Sequence, residues 1–389
     1  MINLKQKIWY GLLSVIFLIG IYSFYLQTIN GHQVTGISKE VPWGIYIAAF
    51  AFFVGASAGA TIIGFLIHAF GRNDYKTLGV RSIIIGVLSL LAAIFFIIAD
   101  VGEPLRMFKV PWLLSNTSSM FFISSTSYYL FMILLLTELY YLVKILRNKA
   151  SKKEKLISKW LAIIAVPYAL LVVHMVTGFI FGVVKTREYW NTPLLPMHFI
   201  IAALATGTAI IILATIFSSN LETRTNKLIS KSTLNHLGLL LAVFIGITLL
   251  FDLSDVLVLK YTDKPDGVAA WNILTGEHAI LFTINWVFLV GALLIVAFKK
   301  GRTSGWTGLA SILVISAVAI YRFNLVIVPQ KVPILPDLEK IQYTPSLIEI
   351  SVTSGIIAFI VLLYFIALKL KPIKQALDEE IREYGGLIG

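Results

Sequence analysis

Apolar runs of about 20 residues recur along the whole chain, separated by short polar breaks. A run of that length, coiled as a helix, spans the hydrocarbon core of a bilayer. Without water, each run must close its backbone hydrogen bonds internally. A barrel is excluded, because barrel strands alternate polar and apolar residues. The 389 residues are 58% hydrophobic and 13% charged, which a water-soluble domain of this length would not tolerate. The fold class is therefore an all-α polytopic integral membrane protein. Ten transmembrane helices are expected at roughly 9–27, 43–70, 81–99, 118–144, 159–184, 196–218, 236–260, 278–298, 307–328 and 348–369. The N-terminal MINLKQK has the basic flank of a signal peptide. Its apolar core is too long and lacks a small-residue cleavage site, so it reads as a retained first helix.

Charge placement gives an orientation. Most of the 32 lysines and arginines fall in segments on the side of the N-terminus, above all in LRNKASKKEKLISK after the fourth span. The positive-inside rule then places both termini in the cytoplasm, and the expected location is the cytoplasmic (inner) membrane. A net charge of +12 is explained by those loops and does not call for nucleic acid. The absence of cysteine removes thiolate iron-sulfur ligation and covalent c-type haem from this polypeptide.

Pro42 to Ala51 (PWGIYIAAFA) aligns with Pro196 to Ala205 (PMHFIIAALA), with Pro, Ile and three Ala coinciding. A shift of four helices makes this a parallel duplication: repeat one about 43–184, repeat two about 196–328, and peripheral helices 9–27 and 348–369 in one membrane domain. The alternative is chance similarity between Ala-rich helices. GASAGA in the second span and ATGTA in the sixth are small-residue faces suited to close packing.

Ionisable groups inside a bilayer are costly, so their positions carry most of the functional information. Asp100 opens the polar stretch DVGEPLRMFKVPWLLSNTSSM between two spans. Asp252 and Asp255 lie three apart, on one helix face, at about the depth of Arg322, which is followed closely by Asn324. These charges can neutralise one another as a structural ion pair or serve chemistry. His174 lies near the middle of the fifth span, whereas His198 and His278 begin the sixth and eighth at the outer surface. His174 has no obvious mate for haem ligation, so it reads either as a proton-exchanging group or as a helix-bridging one. Glu138 and His68, with Tyr140 and Tyr141, lie toward the inner side; they can start a proton path or simply sit near headgroups. Trp43, Trp112, Trp190 and Trp271 are placed at the outer boundary as an aromatic belt.

Several separated stretches, in order, resemble one family. They are PWGIYIAAFAFFVGASAGA, ADVGEPLRM with Asp100, Gly102, Pro104 and Arg106, HMVTGFIFGVVKTREYWNTPLLP from His174 through Trp190, YRFNLVIV around Arg322, and the ending YTPSLIEISVTSGIIAFIVLLYFIALKLKPI. They are similar to the NrfD or polysulfide reductase membrane-subunit (PsrC-like) family, and more closely to its ten-helix HybB-like branch. The resemblance implies a haem-free, quinone-reactive membrane subunit of a respiratory oxidoreductase complex. It would exchange electrons between non-covalently bound menaquinone or ubiquinone and an extracytoplasmic four-cluster-type iron-sulfur subunit, which wires to a catalytic redox subunit. Some members are proposed to move protons. The family's loop motif carries a basic residue where this chain has Glu103, which sets that contact apart.

A quinone headgroup needs hydrogen-bond donors and a proton acceptor beside an apolar slot. Asp100, His174, Arg322, Asp252 and Asp255 are the candidate reacting groups. Asp100, Arg106, Trp112, His174, Trp190 and Asn324 are the candidate quinone contacts. A secondary transporter and a passive membrane anchor remain as alternatives, the former disfavoured by the scarcity of Gly or Pro interruptions within spans.

Overall fold

A computed structural model describes residues 4–102, 116–221, 230–333 and 341–384. Among them, ten helices are long and apolar enough to cross a membrane. In order, the helices are α1 (Leu4–Asn30), α2 (Ile45–Ala60), α3 (Ile62–His68), α4 (Gly79–Asp100), α5 (Met120–Leu146), α6 (Lys152–Pro167), α7 (Met175–Gly182), α8 (Leu194–Leu221), α9 (Lys231–Lys260), α10 (Pro265–Thr275), α11 (Ala279–Ala297), α12 (Ser304–Gln330), α13 (Leu347–Lys369) and α14 (Lys371–Tyr384). The protein is a multi-pass integral membrane protein.

Several helices begin beyond the apolar edge because their caps lie there. Ser230 accepts from the Thr233 amide and starts α9 several residues before its apolar run. Ser151 with Glu154, and Ser346 with Glu349, form capping boxes at the starts of α6 and α13. Two spans are interrupted. The second breaks at Thr61, between α2 and α3. In the fifth, Pro167 ends the α-helix and a π-helical stretch, Tyr168–His174, joins α6 to α7. Proline supplies no amide hydrogen, so a proline within a span favours such wider turns. The loop after α9 carries a further helix, α10, with Pro265 in its first turn.

Helices α2 to α7 pack around one another, as do α8, α9, α11 and α12, while α1 and α13 run side by side. The two groups meet mainly along α2 and α8. There a Cβ on Gly59 would lie 1.9 Å from the Ala203 carbonyl oxygen, and one on Gly207 would lie 2.2 Å from the Gly59 carbonyl carbon. Close backbone approach through small residues is how membrane helices gain packing without a hydrophobic drive. Gly20 of α1 and Gly355 of α13 meet the same way, a Cβ on either lying 2.6 Å from the other's Cα. Lipid-facing sides are apolar and exposed, as with Leu12, Val15 and Leu18 of α1. The C-terminal α14 is partly buried, through Ile373, Ala376 and Leu377, and it packs on α5 and on the 3₁₀ turn Asn73–Leu78.

Candidate functional site

Asp100 is the last residue of α4, at the end of the bundle opposite the chain termini. Its Oδ1 is buried without a hydrogen-bond partner. An acid in the last turn opposes the helix dipole, so stability does not account for its position. The backbone beside it is held firmly: Gln27 Nε2 donates to the Ala99 carbonyl at 2.7 Å, and Tyr46 Oη donates to Gln27 Oε1 at 2.7 Å. Sequence reasoning missed Glu349, which is fully buried at this end. It accepts from the Gly36 amide (2.7 Å), the Ser346 amide (2.8 Å) and Tyr343 Oη (2.8 Å), while Tyr343 Oη accepts from the Ile45 amide (2.8 Å). One carboxylate thus ties together the α1–α2 connection, the start of α2 and the start of α13. The capping pattern Ser346-x-x-Glu349 before an apolar run is the signal that could have drawn attention to it.

Beside α4 an apolar cavity of about 260 Å³ opens between α2, α4, α5 and α7. Its walls include Trp43, Phe50, Ile97, Phe121, Tyr128 and Phe181, with Ser124 and Ser125. Thr177 Oγ1 donates to the Val173 carbonyl at 2.7 Å, so the 2.9 Å contact between Tyr128 and Thr177 has the tyrosine hydroxyl as donor. Trp190, in the connection between α7 and α8, is buried against Trp43 and Phe181 rather than exposed, and its Nε1 donates to the Leu325 carbonyl at 2.6 Å. Arg106 and Trp112 lie outside the described residues.

His174 ends the π-helical stretch, fully buried, and neither ring nitrogen makes a well-aligned hydrogen bond. Gly55 makes room for it, since a Cβ there would lie 3.0 Å from His174 Cε1. The GASAGA stretch therefore seats a functional candidate as well as packing helices. Phe199 contacts both His174 (centroids 5.4 Å apart) and Arg322, whose guanidinium carbon sits 3.4 Å from the ring centre.

The expected grouping of Arg322 with the two aspartates takes a different form. Among the described residues no ion pair joins them. His198 Nε2 instead approaches Asp252 Oδ1 at 2.8 Å, although without hydrogen-bonding alignment, and Asn285 Nδ2 lies 3.5 Å from Asp252 Oδ2. Asp255 Oδ2 accepts from Tyr321 Oη at 3.3 Å. Successive helical residues point about 100° apart, so Tyr321 can face α9 while Arg322 faces Phe199. Arg322 Nε and Nη1 are left buried without partners. Asp252, Asp255, Asn285, Tyr321 and Asn324 line a cavity of only about 20 Å³. His198 and His278, expected at the surface, are both buried. Glu138 and His68 lie at the opposite, termini-bearing end, far along α5 from Tyr128.

His278 stands just before α11, and its Nδ1 lies 3.0 Å from Asn324 Oδ1. Burial pushes its imidazole below the ordinary 6.5, outweighing the Asn324 bond. The unfolded chain then binds the extra proton first, so acid favours unfolding as pH drops below that ordinary value. The melting temperature of the detergent-solubilised protein is expected to fall between roughly pH 7 and pH 5, and to fall less in His278→Gln. Equal slopes in both proteins would dismiss this contribution.

Known proteins match this chain over nearly its full length. The family model described as polysulphide reductase, NrfD, matches residues 33–333. A selenate reductase subunit of Mesobacillus selenatarsenatis is 25% identical, covering 98% of this chain and 97% of that protein. The Hdr-like menaquinol oxidoreductase integral membrane subunit of Archaeoglobus fulgidus is 26% identical over 96% and 95% of the two chains. The menaquinone reductase integral membrane subunit of Nitratidesulfovibrio vulgaris is 21% identical over 95% and 92%. Among solved structures, a chain of the bd oxidase from Geobacillus thermodenitrificans shares the fold, with a TM-score of 0.50, 14% identity and coverage of 95% and 98%. The residues 33–333 that the family model spans run from the end of α1 to just past α12 and include Asp100, His174 and Arg322, and on that match the chain belongs to the polysulphide reductase NrfD family.

Proposed function

We propose that this protein is the quinone-reactive membrane subunit of a respiratory oxidoreductase complex. The observation that carries the reading is the apolar cavity at the Asp100 end, with the hydroxyls of Tyr128 and Ser124 in its wall and an unpartnered carboxylate at the same end. An apolar slot with a few polar groups suits an isoprenoid quinone, and relatives named as menaquinol and menaquinone enzymes support that class of ligand. Menaquinone or ubiquinone would enter from the bilayer, with Trp43 and Phe181 against its ring.

Quinol oxidation releases protons and electrons together. Asp100 accepts a proton at the membrane edge, while His174 and Arg322, both in contact with Phe199, orient and polarise the neighbouring groups. The residues at the Asp100 end also form the face for an extracytoplasmic iron-sulfur subunit and, through it, a catalytic redox subunit. The bias of Lys and Arg toward the termini-bearing side supports cytoplasmic termini in the inner membrane. The pairing of α2 to α7 and of α8 to α12 into two groups supports a parallel duplication.

Trp43 lines the cavity and reports its occupancy. A water-soluble menaquinone analogue is expected to quench tryptophan fluorescence of the purified complex saturably. Trp43→Phe should remove most of that quenching, and Ser125→Trp, which fills the slot, should abolish specific binding. Quenching that stays linear with analogue and unchanged in Ser125→Trp would leave the chain as a passive anchor.

A further inference from the structure

The termini-bearing end of the first helix group holds a second cavity, of about 300 Å³. It differs in chemistry from the apolar one, because among isoleucines and leucines its walls include His68, Lys76, Glu138, Asn148, Lys155 and Ser158. Glu138 forms its floor. This side chain is 4% exposed, and among the described residues it makes no hydrogen bond or ion pair. Its Oε1 lies against bare backbone: a Cβ on Gly64 of α3 would come within 3.2 Å of it. Among the described residues no lysine or arginine forms an ion pair with Glu138. Lys144 pairs with Glu154, and Arg81, buried on α4, donates to the Thr77 carbonyl at 3.3 Å. His68 ends α3, Lys76 lies on the 3₁₀ turn and Lys155 on α6, so the basic groups belong to the mouth rather than the floor. Helix α14, packed across α5 and the 3₁₀ turn, brings Asp378 and Glu379 to the same end.

A carboxylate taken out of water without a partner is costly, and the group responds by binding a cation or a proton. Lysines at the mouth disfavour a metal or organic cation. The buried carboxylate disfavours an anion. Water and a proton suit both features: the space holds several waters, and a neutral imidazole such as His68 can take a proton on one nitrogen and release it from the other. Toward the Asp100 end the cavity closes. Leu135 and Phe131, both 0% exposed, occupy the buried face of α5 between Glu138 and the Ser127–Ser124 face near Tyr128.

We propose that Glu138 is a proton-exchange site serving the aqueous phase on the termini-bearing side, reached through a water-filled cavity lined by His68 and separated from the apolar cavity beside Tyr128 by Leu135 and Phe131. The step is a simple exchange: a proton passes from hydronium through water and His68 to the Glu138 carboxylate, and returns the same way. The inference does not rest on the quinone reading, and its test involves no quinone.

The full complex in sealed vesicles of both orientations is treated with a membrane-impermeant, water-soluble carbodiimide, which adds to protonated carboxyls, and adducts are mapped by peptide mass spectrometry. Glu138 is expected to be modified when the reagent meets the termini-bearing face, less so as pH rises, and not from the Asp100 face. In parallel, the protonated-carboxyl infrared band should follow pH on the termini side in wild type and be lost in Glu138→Gln. His68→Gln should slow the band's response. An unmodified Glu138 peptide at every pH, or modification only from the Asp100 face, overturns the proposal. The labelling result on wild type decides the matter even where Glu138→Gln fails to fold.

Discussion

Asp100→Asn is expected to lower quinol-linked electron transfer in the assembled complex by about 10²–10⁴-fold, the range for losing one general acid or base. The substitution keeps the side-chain shape and the hydrogen bonds that fix this end of α4, which run through the Ala99 carbonyl, Gln27 and Tyr46 rather than through the carboxylate. It removes only the ability to take a proton. Because an acid at a helix C-terminus opposes the dipole, the Asn variant should assemble at least as well as wild type. The comparison is made by steady-state quinol oxidation against blue-native gels of the complex. Wild-type turnover in an assembled Asp100→Asn complex would remove Asp100 from the mechanism. His174→Ala, assayed alongside, tests a different contribution. Its ring fills the space left by Gly55 and packs against Phe199, on which Arg322 also lies, so both packing and turnover should suffer.

Gly207→Leu is expected to prevent folding. At this position even a Cβ would sit 2.2 Å from the Gly59 carbonyl carbon and 2.5 Å from the Ala60 nitrogen, both backbone atoms of the facing helix that cannot rotate away. Helices α2 and α8 would have to separate along the seam that joins the two helix groups. The cost exceeds the ~1–3 kcal/mol of an overpacked core, which relaxes through side chains. Gly59→Leu meets the Ala203 carbonyl in the same way, at 1.9 Å from the Cβ. Gly246→Leu on α9, where nothing lies within 4 Å, is the matched control and should express and run as a single peak on detergent size-exclusion chromatography. A monodisperse, thermally unaltered Gly207→Leu protein would refute this account of the seam.

Much of the candidate site could be read from residue type and depth. Asp100, His174, Arg322 and the two aspartates stand out because charges in apolar runs are rare. Their partners could not be read. Arg322 and Tyr321 are neighbours in sequence yet face different helices, so the expected Arg–Asp pairing gives way to a stacked Phe199 and a His198–Asp252 contact. Glu349 drew no notice in the sequence, and only the convergence of Gly36, Tyr343 and Ser346 on it reveals a staple across three segments.

The sequence by itself determined the ten membrane crossings, the helical class and the family, because a bilayer admits so few ways of satisfying a backbone and hydropathy is additive along a chain. It also singled out the rare buried charges. The tertiary structure alone decided which of them meet, because contact between helices depends on rotation and register that no local pattern encodes. That is why the apolar slot beside Tyr128, the seat that Gly55 makes for His174 and the unpartnered Glu138 at the far end became visible only once the helices were packed.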